Sequence, residues 1–153
     1  MKYTKTLKRL PVYATVVLAS ACSQQQVHLQ TVYSSNDCAI KEQMTRSIST
    51  ALELDEILQQ KKRNFSPAPV VLPEIDYHKQ DLILYALGQK PTAGYAIELY
   101  RDKATIKDQT LYLPVRVMQP ESSSMQAQVI TSPCQIYSLP KADYAEIVVE
   151  ESL

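Results

Sequence analysis

Asp81 to Leu99, "DLILYALGQKPTAGYAIEL", sets the architecture. Its first part, Asp81 to Leu87, is almost continuously apolar, which predicts a strand buried on both faces. The next part holds Gly88 and Gly94, the only two glycines in 153 residues. Average usage would give roughly eleven. Pro91 pre-sets φ for the second position of a type I turn over Lys90–Ala93. Gly94 then falls where longer hairpin loops want a left-handed residue, and glycine adopts that shape cheaply. Gly88, ending the apolar strand, reads as a bulge or a close backbone approach. After the turn, Tyr95, Ile97 and Leu99 alternate with Ala96, Glu98 and Tyr100, a half-buried strand. The stretch therefore reads as two strands joined by a hairpin.

Similar patterns extend in both directions. "VHLQTVY" (Val27 to Tyr33) alternates as a first strand, and "TRSIS" (Thr45 to Ser49) reads as a short one. Ala51 to Arg63 is the clearest helix. Thr50 and Glu53 have capping-box spacing, and Ala51, Leu54, Ile57 and Leu58 share a face. Acidic residues open this helix and Lys61, Lys62 and Arg63 close it, as the helix dipole favours. Pro67, Pro69 and Pro73 then impose an extended connection. "DKATIKDQ" (Asp102 to Gln109) reads as turn chemistry. "TLYLPVRVM" (Thr110 to Met118) alternates, with Pro114 placing it at a sheet edge or a bulge. "QPESSSM" (Gln119 to Met125) reads as a flexible loop, "QAQVITSPCQIYSL" as a strand bent at Pro133, and "YAEIVVE" as the last strand. The fold class is α+β: a mostly antiparallel β-sheet or sandwich with one amphipathic helix.

The first 21 residues read as a signal peptide. Lys2, Lys5, Lys8 and Arg9 precede an apolar run too short to span a bilayer. "LASAC" resembles a bacterial lipobox, which makes Cys22 the lipidated first residue of the mature chain. Ser23 rather than Asp follows, which by analogy favours the outer membrane facing the periplasm. Residues 22–36 then comprise the lipidated cysteine, a tether and a first strand, and residues 37–153 a β-rich domain. Removing the four basic signal residues from 16 leaves 12 against 16 acidic ones, a net charge of about −4. That balance argues against a nucleic-acid partner and against electrostatic docking on anionic lipid, so membrane attachment falls to the acyl chains. Cys38 and Cys134 remain as an even pair in an oxidising compartment, either bonded or as two buried thiols.

The sequence does not point to an enzyme. His28 and His78 lack metal-ligand spacing, no nucleophile elbow occurs, and two glycines hardly build a phosphate loop. Asp76, His78 and Asp81 lie close together, but in a polar lead-in to the apolar strand. No motif calls for a cofactor. The turn itself reads either as a rigid hairpin tip and nothing more, or as a pre-ordered loop that presents Pro91, Thr92 and Tyr95 to a protein partner with its ordering entropy already lost.

"IDYHKQDLILYALGQKPTAGYAIEL" resembles the PrcB C-terminal domain family, with Gly88, Pro91, Thr92, Gly94, Tyr95 and Ile97 matching its "GxxPTGGYxI" pattern. "LYLPVRVMQP" and "VITSPCQIYSLPK" are similar to the family's later strands, and the resemblance spans roughly Thr45 to Val149. Ala93 departs from the family's first glycine. Cys134 stands where an aromatic is common, a local specialisation that fits a Cys38–Cys134 disulfide. The resemblance implies a non-catalytic envelope lipoprotein that binds and stabilises a partner protein, a protease in PrcB's own case. The partner-binding loop would then be Gly88, Pro91, Thr92, Gly94 and Tyr95. "KPTAGYAI" also resembles the "NPTTGYxW" loop of chagasin-type peptidase inhibitors, which implies direct inhibition. Lys90 and Ala93 depart from that loop, and its glycine-rich second loop is missing. A structural envelope lipoprotein is the third reading.

Overall fold

A computed structural model describes residues 24–62, 72–121, 123 and 125–151; side chains at 60–62 and 151 are outside the description. The signal segment and Cys22 lie outside the described residues. In chain order the elements are β1 (Gln25–His28), β2 (Gln30–Ser35), β3 (Gln43–Ile48), α1 (Ala51–Lys62), β4 (Gln80–Leu87), β5 (Ala96–Leu99), β6 (Lys103–Lys107), β7 (Thr110–Met118), β8 (Cys134–Pro140) and β9 (Glu146–Glu151).

They form two sheets. One runs β2-β8-β4-β3, antiparallel throughout. The other is built on β7, which pairs antiparallel with β6 near its start and β5 near its end. β9 pairs in parallel with β7 over Thr110–Val115, so it takes the opposite edge. β5 and β6 therefore run end to end along one edge, and β1 adds outside β6. The parallel pair arises because β8, in the other sheet, supplies the crossover.

β4 behaves as its composition predicts: Leu82 to Leu87 are all buried. Ile83, Tyr85 and Leu87 face the space between the sheets, with Tyr137, Leu139, Leu111, Leu113, Val115, Ala104 and Ile106. Leu82, Leu84 and Ala86 face the other way, against Leu54, Ile57 and Leu58 of α1. The protein is thus layered sheet, sheet, helix. The helix starts as expected. Glu53 N–H donates to Thr50 Oγ1 at 3.2 Å, while the Glu53 carboxylate accepts from Ser49 N–H at 2.8 Å. Ala51 stays exposed rather than joining the apolar face.

Several expectations are corrected. β4 and β5 do not form a hairpin. They belong to different sheets, so Gly88–Tyr95 is a crossover between layers. A segment read as turn chemistry contains β6. Its Lys-Ala-Thr-Ile-Lys alternation buries Ala104 and Ile106, and the turn proper shrinks to Asp108 and Gln109, both at positive φ (49° and 61°). The first strand is two strands, since the chain passes from one sheet to the other at buried Leu29. Gln25 and Gln26, read as tether, already belong to β1. Pro114 is at neither an edge nor a bulge: β7 is an inner strand, and its register with β9 runs unbroken through Pro114. The proline sits where the β6 pairing has ended and the β5 pairing has not begun, so the ladder needs no N–H from it on that side.

Tyr137 is fully buried between the sheets, and its hydroxyl donates to Gln135 Oε1 at 2.8 Å. Gln135 Nε2 in turn donates to the Ile97 carbonyl at 2.6 Å, tying β8 to β5 across the layers. Burial raises the Tyr137 pKa well above the ordinary tyrosine value, and neighbouring Tyr85 adds to the shift. The fold thus favours the protonated phenol. Its contribution is intact below the unfolded pKa of about 10 and is lost as pH rises toward the folded one. Thermal stability should therefore decline above about pH 10. Tyr137→Phe should flatten that decline in part, because burial shifts Tyr77 and Tyr144 in the same direction. Melting curves from pH 8 to 11 give the check; a variant profile parallel to the wild type would contradict the assignment.

Candidate functional site

The crossover Gly88–Tyr95 lies at the end of both sheets where β4 finishes and β5 begins. Its backbone bonds go to other segments rather than to itself. Lys90 and Thr131 exchange N–H···O bonds at 2.8 and 3.0 Å, and Ala93 N–H donates to the Ala127 carbonyl at 3.0 Å. Thr131 Oγ1 donates to the Thr92 carbonyl at 3.1 Å. The type I turn expected over Lys90–Ala93 is therefore replaced. Both groups that would close it, Lys90 O and Ala93 N–H, are bonded across to Thr131 and Ala127.

Both glycines are required, for different neighbours. Gly88 is buried at φ +72°, and a Cβ there would lie 2.8 Å from Gln43 N, 2.8 Å from Glu42 C and 2.9 Å from Lys41 O. Gly94 is exposed at φ +96°, and its Cβ would meet Gln126 Oε1 at 2.6 Å and Pro120 Cβ at 2.8 Å. Gly88 thus seats the crossover on the backbone before β3, and Gly94 lets the segment after β7 close over it.

Above these seats, Pro91 is exposed, Thr92 is half-buried, and Tyr95 is half-buried with part of its ring on the inter-sheet core. The Lys90 ammonium lies 5.6 Å from the Tyr95 ring centroid. Gln89, Lys90, Pro91 and Ile130 line a shallow, mostly apolar hollow. Ile130 is 72% exposed, Val129 53% and Met125 fully. Sequence reading missed this second wall because it took Gln119–Met125 as a flexible loop and the residues after it as strand. The signal was present in "VITSP": two adjacent β-branched apolar residues just before a proline that stops them joining the strand.

Cys38 and Cys134 are bonded across a sequence separation of 96. The bond lies beside this site, joining the loop after β2 to the first residue of β8. Titratable residues do not converge there. Asp76, His78 and Asp81 are engaged separately: Asp76 Oδ1 accepts from His78 N–H at 3.0 Å, and Asp81 faces Lys141 at 3.5 Å. The Asp76 carboxyl is held below its ordinary pKa, first by that backbone N–H and then by Lys79. His28 pairs with Asp102 at 3.4 Å on the exposed rim of β1. Among the described residues no group of three His, Cys, Asp or Glu side chains is placed to hold a metal ion.

The arrangement presents a braced, partly apolar rim on a two-sheet scaffold. Residues 82–140 match the family model of the PrcB C-terminal domain, so this stretch of the chain is PrcB-like. The match runs from β4 through β8. It includes the crossover, its brace and Cys134, and leaves β1–β3, α1, Cys38 and β9 outside. No curated protein and no solved structure matches the chain.

Proposed function

We propose that this protein is a non-catalytic lipoprotein of the bacterial envelope that binds and stabilises a partner protein, a protease by analogy with the family. The observation that carries the reading is the coincidence of the family match with the braced crossover. The matched stretch contains Gly88–Tyr95 together with the segment that fixes it. Pre-ordering lowers the entropy lost on association, and exposed Pro91, Val129 and Ile130 offer apolar contact area. The lipobox-like "LASAC" supports attachment through acyl chains on Cys22, with the domain on the periplasmic side of the outer membrane.

Crosslinking in intact envelopes tests this, with fatty-acid labelling in parallel. Wild type should take up label and capture one dominant protein. Cys22→Ala should lose the label and leave the membrane fraction. Pro91→Ala and Tyr95→Ala should capture several-fold less, since anchor residues at interfaces typically contribute more than 1 kcal/mol. Equal capture by all variants would remove the crossover from the contact. Tight inhibition across a panel of cysteine peptidases would replace stabilisation with direct inhibition.

A further inference from the structure

Three separate stretches meet beneath the candidate site, with residues 131–134 in the middle. On one side Ser132 N–H donates to Asn36 O and Cys38 N–H to Ser132 O, both at 2.8 Å. Ser132 Oγ donates to the Ile40 carbonyl at 2.6 Å and accepts from Ile40 N–H at 3.0 Å. On the other side Thr131 exchanges bonds with Lys90, and Leu87 N–H donates to the Pro133 carbonyl at 2.9 Å. Gln89 N–H closes the ring by donating to Lys41 O at 3.0 Å, next to the backbone on which Gly88 sits. Cys38–Cys134 is the covalent link inside this knot, and Cys38, Ser132 and Cys134 are 2%, 2% and 0% exposed.

We propose that the Cys38–Cys134 bond is a latch set once: the crossover takes its binding shape only after the bond forms. Partner recognition is thereby confined to chains that have reached an oxidising compartment. The second statement rests on the crossover being the contact surface; the first does not. Residues 36–42 lie between β2 and β3, so in the thiol form only the hydrogen bonds to Ser132 and the packing of Cys38 and Ile40 on the helix-side core would hold them, with no covalent tie. The bond fixes that stretch, and the stretch then supplies the floor for Gly88 and the acceptor for Gln89. In forming it, two thiols lose two protons and two electrons to a protein disulfide donor, which leaves as its dithiol. Both sulfurs are then buried, so a dissolved reductant reaches them only through local opening, and the latch does not cycle.

Backbone NMR of the whole chain tests the latch without any partner. In oxidised wild type, Lys90, Ala93 and Thr131 should show order parameters near about 0.85, with contacts between the Lys90 and Thr131 amides. In Cys38→Ala/Cys134→Ala those contacts should vanish and the order parameters fall below about 0.6, while Leu84 and Leu113 stay near 0.85. Ser132→Ala, which keeps the disulfide, should leave the crossover ordered. An ordered crossover in the cysteine variant would overturn the proposal. So would equal loosening in Ser132→Ala, because hydrogen bonds rather than the covalent bond would then hold the crossover. A cysteine variant unfolded throughout, even with stabilising osmolyte, would also overturn it, because the bond would then be holding the whole domain. Envelope crosslinking of the cysteine variant then reads the binding statement. Capture equal to wild type, with the latch shown open, would refute that statement alone.

Discussion

Cys38→Ala/Cys134→Ala should lower the free energy of unfolding by about 4 kcal/mol, the largest single effect expected in this domain. The bond spans a sequence separation of 96, and a loop near that length restricts the unfolded chain by up to about 4.7 kcal/mol in the chain-entropy account. The cysteines join the loop after β2 to β8, one of the two inner strands of its sheet. The bond therefore ties residues outside the family-matched stretch to residues inside it. Small domains have only about 5–15 kcal/mol in total, so the variant should unfold at a much lower denaturant concentration. Denaturant titrations of the oxidised and variant chains check this. Midpoints that differ by less than about 1 kcal/mol equivalent would mean the bond merely decorates a self-sufficient fold.

Gly88→Val is the second large effect, at about 3 kcal/mol and a melting temperature lower by roughly 10 °C. Two terms combine there. A β-branched residue is strained at φ +72°, and its Cβ would fall within 2.9 Å of backbone atoms of Lys41, Glu42 and Gln43. Those atoms lead directly into β3, so they move only by disturbing its pairing with β4. Gly94→Val should cost roughly half as much, about 1–2 kcal/mol. Its backbone is equally left-handed, but its nearest neighbours are the end of the Gln126 side chain and the Pro120 ring, both on a surface segment. Side-by-side melting of the two variants decides the ranking, and a larger loss for Gly94→Val would reverse the assignment of the structural seat. Local turn chemistry points the other way, because it explains Gly94 readily and reads Gly88 only as a bulge or a close approach to a backbone it does not identify.

That reversal marks where the sequence stops being informative. Leu82 to Leu87 announces burial on both faces because its apolar run is uninterrupted, and β4 is enclosed by a sheet and a helix as a result. Thr50 and Glu53 announce the helix start because capping depends on residues three apart. The crossover was legible as a rigid segment with special backbone positions, again a local property. Its destination was not. A short connection between two strands looks the same whether the second strand turns back beside the first or enters another sheet. The difference lies in which strands β5 meets, and β7 is distant in sequence. β6 was hidden for a related reason. Lys103 to Lys107 is too polar to stand out, yet Ala104 and Ile106 suffice once β1 and β7 flank it.

Residue pattern therefore settled β4, the helix and its cap, the class of fold, the two glycines and the existence of a candidate loop, because each depends on neighbours a few positions apart. Long-range packing settled the rest: the two-sheet crossover, the brace from Ala127 and Thr131, the joining of Cys38 to Cys134, and the exposure of Ile130 beside Pro91. Each of these brings together residues that share no local signal. Their partners are chosen by which apolar faces bury each other, a choice made by the whole chain at once.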